Sequence, residues 1–182
     1  VTRDRKYGRG SLVDLNFILI DTAGIDDSLI GSTEINIRKQ SQIAIEDANI
    51  IFFVIDGREG ILPVEKSFAK DLKKQNKPII VLINKSEGSK GLVGLSEAAY
   101  LGFDVVIPIS AEHGDGLPNL YYVLKDNLEK QKKNIKSQLV FPDYKKLPIR
   151  ISIVGRPNTG KSTLVNNLIG ENRLVTGSDS GT

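Results

Sequence analysis

The sequence predicts an α/β fold with a mostly parallel sheet between layers of helix, on two observations. Five short apolar runs each end in a polar residue or glycine, and stretches of helical periodicity separate most of them. Strands of this kind are buried on both faces, and their C-terminal ends line one edge of the sheet, where folds of this class bind ligands.

The elements follow in chain order. Arg5 to Val13 reads as a strand, joined by a tight turn at Asp14-Leu15-Asn16 to the run Phe17-Ile18-Leu19-Ile20, which ends in Asp21. That pair is antiparallel. A helical stretch runs from about Thr33 to Asp47, and the strand Ile50 to Ile55 ends in Asp56. Pro63 to Gln75 is helical, Ile79 to Ile83 is a strand ending in Asn84-Lys85, Ser96 to Leu101 is helical, and Val105 to Ile109 ends in Ser110. The clearest helix runs from Leu117 to about Lys136, with Leu117, Leu120, Tyr121, Leu124 and Leu128 at helical spacing and Pro118 in its first turn. From Gln131 to Pro148 the pattern lapses into Lys, Asn, Gln and two prolines, as a linker does. The last strand, Ile149 to Val154, ends in Gly155 and leads to a helix beginning near Lys161.

Composition narrows the classes of function. With 182 residues, 40% of them hydrophobic, the chain suits one domain or parts of two. The absence of cysteine excludes a disulfide framework and thiolate metal sites, and fits a reducing cytoplasm. No apolar run reaches the ~18 residues of a membrane span, and Val1-Thr2-Arg3-Asp4-Arg5 does not open a secretory leader. The expectation is a soluble, cytoplasmic protein with no membrane partner. A formal charge of +3 and a pI near 9.0 favour, without compelling, a polyanionic partner. Lys125, Lys130, Lys132, Lys133, Lys136, Lys145 and Lys146 form the richest cluster, readable as a solvated helix end and linker or as a nucleic-acid contact.

Four motifs carry chemistry, and each follows a strand. Gly155-Arg156-Pro157-Asn158-Thr159-Gly160-Lys161-Ser162 fits GxxxxGK[ST], the loop whose backbone amides and helix N-terminus oppose phosphate charge. Lys161 would span β- and γ-phosphates, and the Ser162 hydroxyl would ligate magnesium. The bland alternative is a glycine turn capping a helix. In Asp21-Thr22-Ala23-Gly24, Asp21 would hold the magnesium water shell and the Gly24 amide would approach a γ-phosphate, although Asp-Thr after a strand is also an ordinary turn. Asn84-Lys85-Ser86-Glu87 resembles the NKxD that reads guanine, with Glu87 supplying the carboxylate on a longer stem. Ser110-Ala111 resembles the last such motif, whose backbone amide meets guanine O6. The lone histidine, His113, reads as solvent-facing structure ahead of an acid–base group, and Asp26-Asp27 as a polar loop ahead of a hydrolytic dyad.

These motifs, with Val1-Thr2-Arg3-Asp4-Arg5, Asp21-Thr22-Ala23-Gly24-Ile25, Arg38-Lys39-Gln40, Gly57-Arg58-Glu59-Gly60 and Gly155-Arg156-Pro157-Asn158, resemble the Der (EngA) family of bacterial double GTPases, ribosome-assembly factors. The resemblance runs over nearly the whole chain. It implies a P-loop NTPase three-layer sandwich with the motif order permuted. In that family two GTPase domains stand in tandem before a KH-like RNA-binding domain, which has no counterpart here. Residues 1–136 resemble the first GTPase domain from its switch I threonine onward, lacking its own P-loop, and 137–148 read as a linker. Residues 149–182 resemble the P-loop strand, helix and start of switch I of the second. Because Thr182 followed by Val1-Thr2-Arg3-Asp4 nearly rebuilds switch I, the chain could fold as one permuted G domain, with Ile149 to Val154 as the missing central strand.

The resemblance also implies roles. Lys161, Gly24 and Thr2 would be catalytic. Nucleotide contacts would come from Gly155, Arg156, Pro157, Asn158, Thr159, Gly160, Lys161, Ser162 and Thr163, from Asp21, Thr22, Ala23 and Gly24, and from Asn84, Lys85, Glu87, Ser110 and Ala111. Ser162, Asp21 and Thr2 would hold Mg2+. Ile25 stands where many GTPases carry the glutamine that orients water, and Asn158 stands where potassium-activated relatives hold a monovalent cation, or else serves only the loop. The implied function is GTP hydrolysis in assembly of the large ribosomal subunit, with GTP or GDP, Mg2+ and K+ as ligands and ribosomal RNA or protein as partner. Two alternatives stand beside it: a nucleotide-gated RNA-binding module with little hydrolysis, and an adenine nucleotide enzyme should Glu87 not read guanine.

Overall fold

The computed structural model describes residues 6–22, 41–88, 91–136 and 148–170. Its strands are β1 (Lys6–Leu12), β2 (Leu15–Asp21), β3 (Ile50–Asp56), β4 (Ile79–Asn84), β5 (Val106–Pro108) and β6 (Ile149–Val154). They form one sheet in the order β1-β2-β6-β3-β4-β5, with β1 antiparallel to β2 and every other pair parallel. The last of the described strands, β6, thus lies inside the sheet, between β2 and β3. Asp21 stands beside Ile153, and Phe53 beside Val154.

The helices are α1 (residues 41–47), α2 (Pro63–Leu72), α3 (Gly91–Ala98, continued by a 3-10 turn at Ala99–Leu101), α4 (Leu117–Lys136) and α5 (Lys161–Ile169). All seven residues of β3 are buried, and alternate side chains leave it for opposite faces. Ile50, Phe52 and Val54 join Ile80, Leu82 and Ile153 under Leu120 and Leu124 of α4 and Leu164, Val165 and Leu168 of α5. Ile51, Phe53 and Ile55 join Val81, Ile83 and Val154 under Ile45 of α1, Ala69 and Leu72 of α2, and Ala98 of α3. Helix on both faces of a parallel sheet is the expected three-layer arrangement, and it explains why the strands read as continuous apolar runs.

Three local expectations need correction. The first turn is Val13-Asp14, since Leu12 pairs with Leu15 and Val13 takes φ of 58°. A β-branched residue there gives no turn signal. Helix α3 begins at Gly91, five residues before the expected Ser96. The two glycines that hide it from propensity have a packing reason in one case: a Cβ on Gly94 would lie 2.7 Å from the Gly57 Cα. Helix α2 ends at Leu72 rather than Gln75. Its start is as expected, with Pro63 at the first position and Glu65 Oε2 accepting from the Leu62 N–H at 2.9 Å. Helix α4 has the expected bounds. Residues 33–40 of the expected first helix, and 137–147 of the linker, lie outside the described residues.

Candidate functional site

The C-terminal ends of β2, β6, β3 and β4 bring Asp21, the 155–162 loop, Asp56 and Asn84-Lys85 to one edge of the sheet. The loop leaves β6 at Gly155, turns at Pro157-Asn158 and enters α5 at Lys161. Gly160, the residue before the helix, has φ of 92°, and a Cβ there would stand 2.0 Å from Asn84 Nδ2, so glycine is required twice over. Thr159 is buried and its Oγ1 donates back to the Arg156 carbonyl at 3.0 Å. Ser162 and Thr163 lie half-buried in the first turn of α5.

Lys161 is only 7% exposed. Its ammonium donates to the Arg156 carbonyl at 2.5 Å. Burial lowers its pKa from 10.5 to about 8, partly opposed by the charge of Asp21 and reinforced by that of Arg156. A buried cation at the head of a helix, beside an amide-rich loop, suits a polyanion. Asp21 and Ser162 lie on the adjacent β2 and at the head of α5, and Asp21 is near enough to act on Lys161. One carboxylate and one hydroxyl suit a hard cation that keeps several waters and takes phosphate oxygens. Among the described residues no group of three or more His, Cys, Asp or Glu side chains forms a metal site of another kind.

Asn84 ties three loops together. Its Nδ2 donates to the Thr159 carbonyl at 2.8 Å and its Oδ1 accepts from the Ala111 N–H at 2.8 Å. The Ala111 amide, expected to meet the base, is therefore engaged by Asn84, and the Ala111 carbonyl accepts from Asn167 of α5 at 3.3 Å. Lys85, with φ of 60°, donates to Asp56 Oδ2 at 2.5 Å and to the Asn158 carbonyl at 2.9 Å. Glu87 pairs through Oε1 with the Arg58 guanidinium. Its Oε2 is buried and makes no hydrogen bond of good geometry, yet the carboxyl pKa is lowered. Its own backbone N–H is the chief cause, partly opposed by burial, with the Ser110 hydroxyl and Arg58 adding to it.

The Thr22 hydroxyl donates to the Ile153 carbonyl at 2.7 Å, so it joins β2 to β6. Asn158 takes φ of 61°, a conformation asparagine tolerates, with its side chain in solvent. His113 is exposed. Thr2, Ala23, Gly24, Ile25 and the Arg38-Lys39-Gln40 segment lie outside the described residues.

Several participants escaped the sequence reading. Arg156 Nε donates to buried Glu65 of α2 at 3.1 Å, and its Nη2 pairs with Glu59, which fastens the phosphate loop to the segment after β3. Burial raises the Glu65 pKa, while the Leu62 amide and Arg156 oppose that. Asp56 is the one with a legible signal, since it closes its strand at the same edge as Asp21.

Comparison with known proteins agrees with this geometry. Residues 1–85 and 150–182 match the family described as 50S ribosome-binding GTPase. The chain is 43% identical over 187 residues to GTPase Der of Rhodopseudomonas palustris strain BisB5, and 43% over 183 residues to GTPase Der of Bradyrhizobium sp. strain BTAi1. All of this chain is covered in both, but only 41% and 40% of those relatives, so it spans about two fifths of their length. Among solved structures, Era in complex with MgGDPNP and nucleotides 1506-1542 of 16S ribosomal RNA aligns with a TM-score of 0.54 at 25% identity, over 81% of this chain and 49% of that one. A point variant of Aquifex aeolicus Era bound to GDP.AlF4- gives the same TM-score at 24% identity, over 81% and 50%, a likeness of fold. A glycine-bounded loop closed by Lys161 and Ser162, with Asp21 beside it and Asn84 and Lys85 bonded to it, in a chain matched over more than half its length, leads to one conclusion: the chain belongs to the 50S ribosome-binding GTPase family.

Proposed function

We propose that this chain binds GTP with magnesium and hydrolyses it, and that it acts in assembly of the large ribosomal subunit in the cytoplasm. The observation that carries the nucleotide half is Lys161, a buried ammonium at the head of α5 whose charge burial disfavours and phosphates would restore. Residues 149–170 supply the phosphate loop to residues 6–136, so one permuted G domain holds the site. In this reading the amides of 155–162 and Lys161 neutralise the phosphates. Ser162 and Asp21, with Thr2, hold the magnesium ion, which would draw charge from the phosphate oxygens as the bond to the leaving group breaks. The Gly24 amide approaches the γ-phosphate. Glu87 accepts from guanine N1 and N2, Lys85 packs on the base, and Asn84, Ser110 and Ala111 hold that pocket in register. Asn158 helps to hold a potassium ion beside the phosphates, in place of an arginine finger. Single-turnover hydrolysis of GTP by this chain, against buffer alone, tests the reading. A rate no greater than that of buffer refutes hydrolysis.

A second reading, a nucleotide-gated RNA-binding module with little hydrolysis, is favoured by one surface. Lys66, Lys70 and Lys73 outnumber one carboxylate, Glu97, in the lining of a cavity of about 550 Å³ that Ala69, Leu101 and the 92% exposed Tyr100 complete. Lysine charge beside an open aromatic ring suits single-stranded RNA. The two readings share the nucleotide site and part only on turnover.

A further inference from the structure

The segment after β3 carries Gly57-Arg58-Glu59-Gly60, a run marked by the sequence but given no task in nucleotide binding. Three consecutive residues there each take hold of one member of the base-reading motif. Asp56, buried and in register with Asn84, accepts from Lys85 at 2.5 Å. The Gly57 N–H donates to the Asn84 carbonyl at 2.7 Å. The Arg58 guanidinium pairs with Glu87 Oε1. The Asp56 carboxylate also accepts from the Arg58 N–H at 3.0 Å, so the turn that presents Arg58 is fixed by the same group that fixes Lys85.

Asn84 and Lys85 need little more, since each also bonds to the phosphate loop. Glu87 differs. It lies beyond the strand, and its side chain has three rotatable bonds where a shorter carboxylate has two. A group that must accept two guanine donors loses affinity for every rotamer it visits elsewhere. Arg58 offers a planar fork of donors that fixes a carboxylate in orientation as well as place. Arg58 engages Oε1 alone, and although Oε2 is buried and the Ser110 hydroxyl lies near the carboxyl, a carboxylate has about four lone-pair sites, so the pair with Arg58 does not exhaust what Glu87 can accept.

We propose that Arg58 is a positioning residue for nucleobase specificity, holding the Glu87 carboxylate where it reads guanine. This rests on the assignment of Asn84 to Glu87 as the guanine-reading loop. The Arg58 side chain is half exposed, so its removal leaves the core intact.

The test is competition of GTP and ATP against a fluorescent guanine nucleotide, with Arg58→Ala, Arg58→Gln and Arg58→Lys, each alone and with Glu87→Ala. Thermal unfolding of every variant guards against misfolding, and the Gln and Lys variants serve should Ala fold poorly. Arg58→Ala should cut the preference for GTP over ATP by about three- to tenfold, the scale of freeing one ordered side chain. Arg58→Lys should restore part of it, because the charge pair survives without the fork. With Glu87→Ala in place, Arg58→Ala should change nothing further. Preference retained in Arg58→Ala overturns the proposal, as does a rise in preference, which would make Arg58 a competitor of the base. An equal loss in the Glu87→Ala background also overturns it, since Arg58 would then act by another route. Equal affinity of the unaltered chain for GTP and ATP is a separate outcome that removes the guanine-reading assignment itself, and this proposal with it.

Discussion

Replacing Lys161 with methionine should stabilise the ligand-free chain while destroying its affinity for nucleotide. Methionine keeps the unbranched stem and drops the charge, so the packing around it survives. Burial lowers the ammonium pKa from 10.5 to about 8. That gap corresponds to a cost of about 3 kcal/mol for folding with the charge in place, at 1.36 kcal/mol per pH unit. The sign follows from proton counting. Between about pH 8 and 10.5 the unfolded chain holds the Lys161 proton and the folded chain does not, so stability rises with pH across that window, and below it the full cost is present. Urea unfolding without nucleotide, at pH 7.5, 8.5 and 9.5, should therefore find the methionine variant more stable by about 2–3 kcal/mol at the lowest pH, with the difference shrinking as pH rises. Reading the difference between the two chains cancels the other titrating groups. Phosphate binding should restore the proton, so calorimetry above pH 8 in two buffers of different ionisation enthalpy should register uptake of up to one proton. A methionine variant no more stable than its parent, or a difference independent of pH, would refute the argument that Lys161 stores an electrostatic cost for the ligand to relieve.

Other expectations follow from particular residues. Asn84→Ala should destabilise the chain by about 2–6 kcal/mol in urea unfolding, because it takes the Asn84 side chain from the buried Thr159 carbonyl and Ala111 N–H, at about 1–3 kcal/mol each. Val13→Gly should raise stability by about 1 kcal/mol, since it relieves a β-branched residue at φ of 58° on an exposed turn; a fall in the urea midpoint would count against the strain. Exchanging sodium for potassium at constant ionic strength should raise turnover, and Asn158→Ala should flatten that response more than it weakens GTP binding. Equal turnover in both ions would leave Asn158 a loop residue. Removing Lys66 and Lys70 together should weaken binding of a single-stranded RNA and lower its salt slope by about 1.4, with GTP affinity unchanged.

Most of the fold was legible because burial writes itself into local sequence. Runs such as Ile50 to Ile55 and Ile79 to Ile83 are apolar throughout because both faces of the sheet are covered, and the Leu117 to Lys136 helix shows its stripe. What stayed hidden has no local pattern. Gly94 discourages a helix by propensity and permits one by its close approach to Gly57, and only the fold reveals the second effect. At the site, the loop 155–162 was readable as a unit because its glycine spacing is contiguous in sequence and lies between a strand and a helix. The Asn84 staple joins residues 27 and 75 positions away, and Arg156 meets Glu65 across 91. Such pairs leave no trace in spacing. Residues 23–40, which carry Gly24 and Ile25, remain a reading of sequence alone.

In the proposed function Lys161 and Asp21, 140 positions apart in the chain, serve one nucleotide through the insertion of β6 between β2 and β3. A crystal structure of this chain grown with magnesium and a non-hydrolysable GTP analogue tests it most directly. The expected result is one nucleotide per molecule, with its phosphates in the 155–162 loop beside Asp21 and its base between Lys85 and Glu87 of the same copy. A nucleotide shared between the phosphate loop of one copy and the Asn84 to Glu87 loop of another, or phosphates bound away from Lys161, would contradict it.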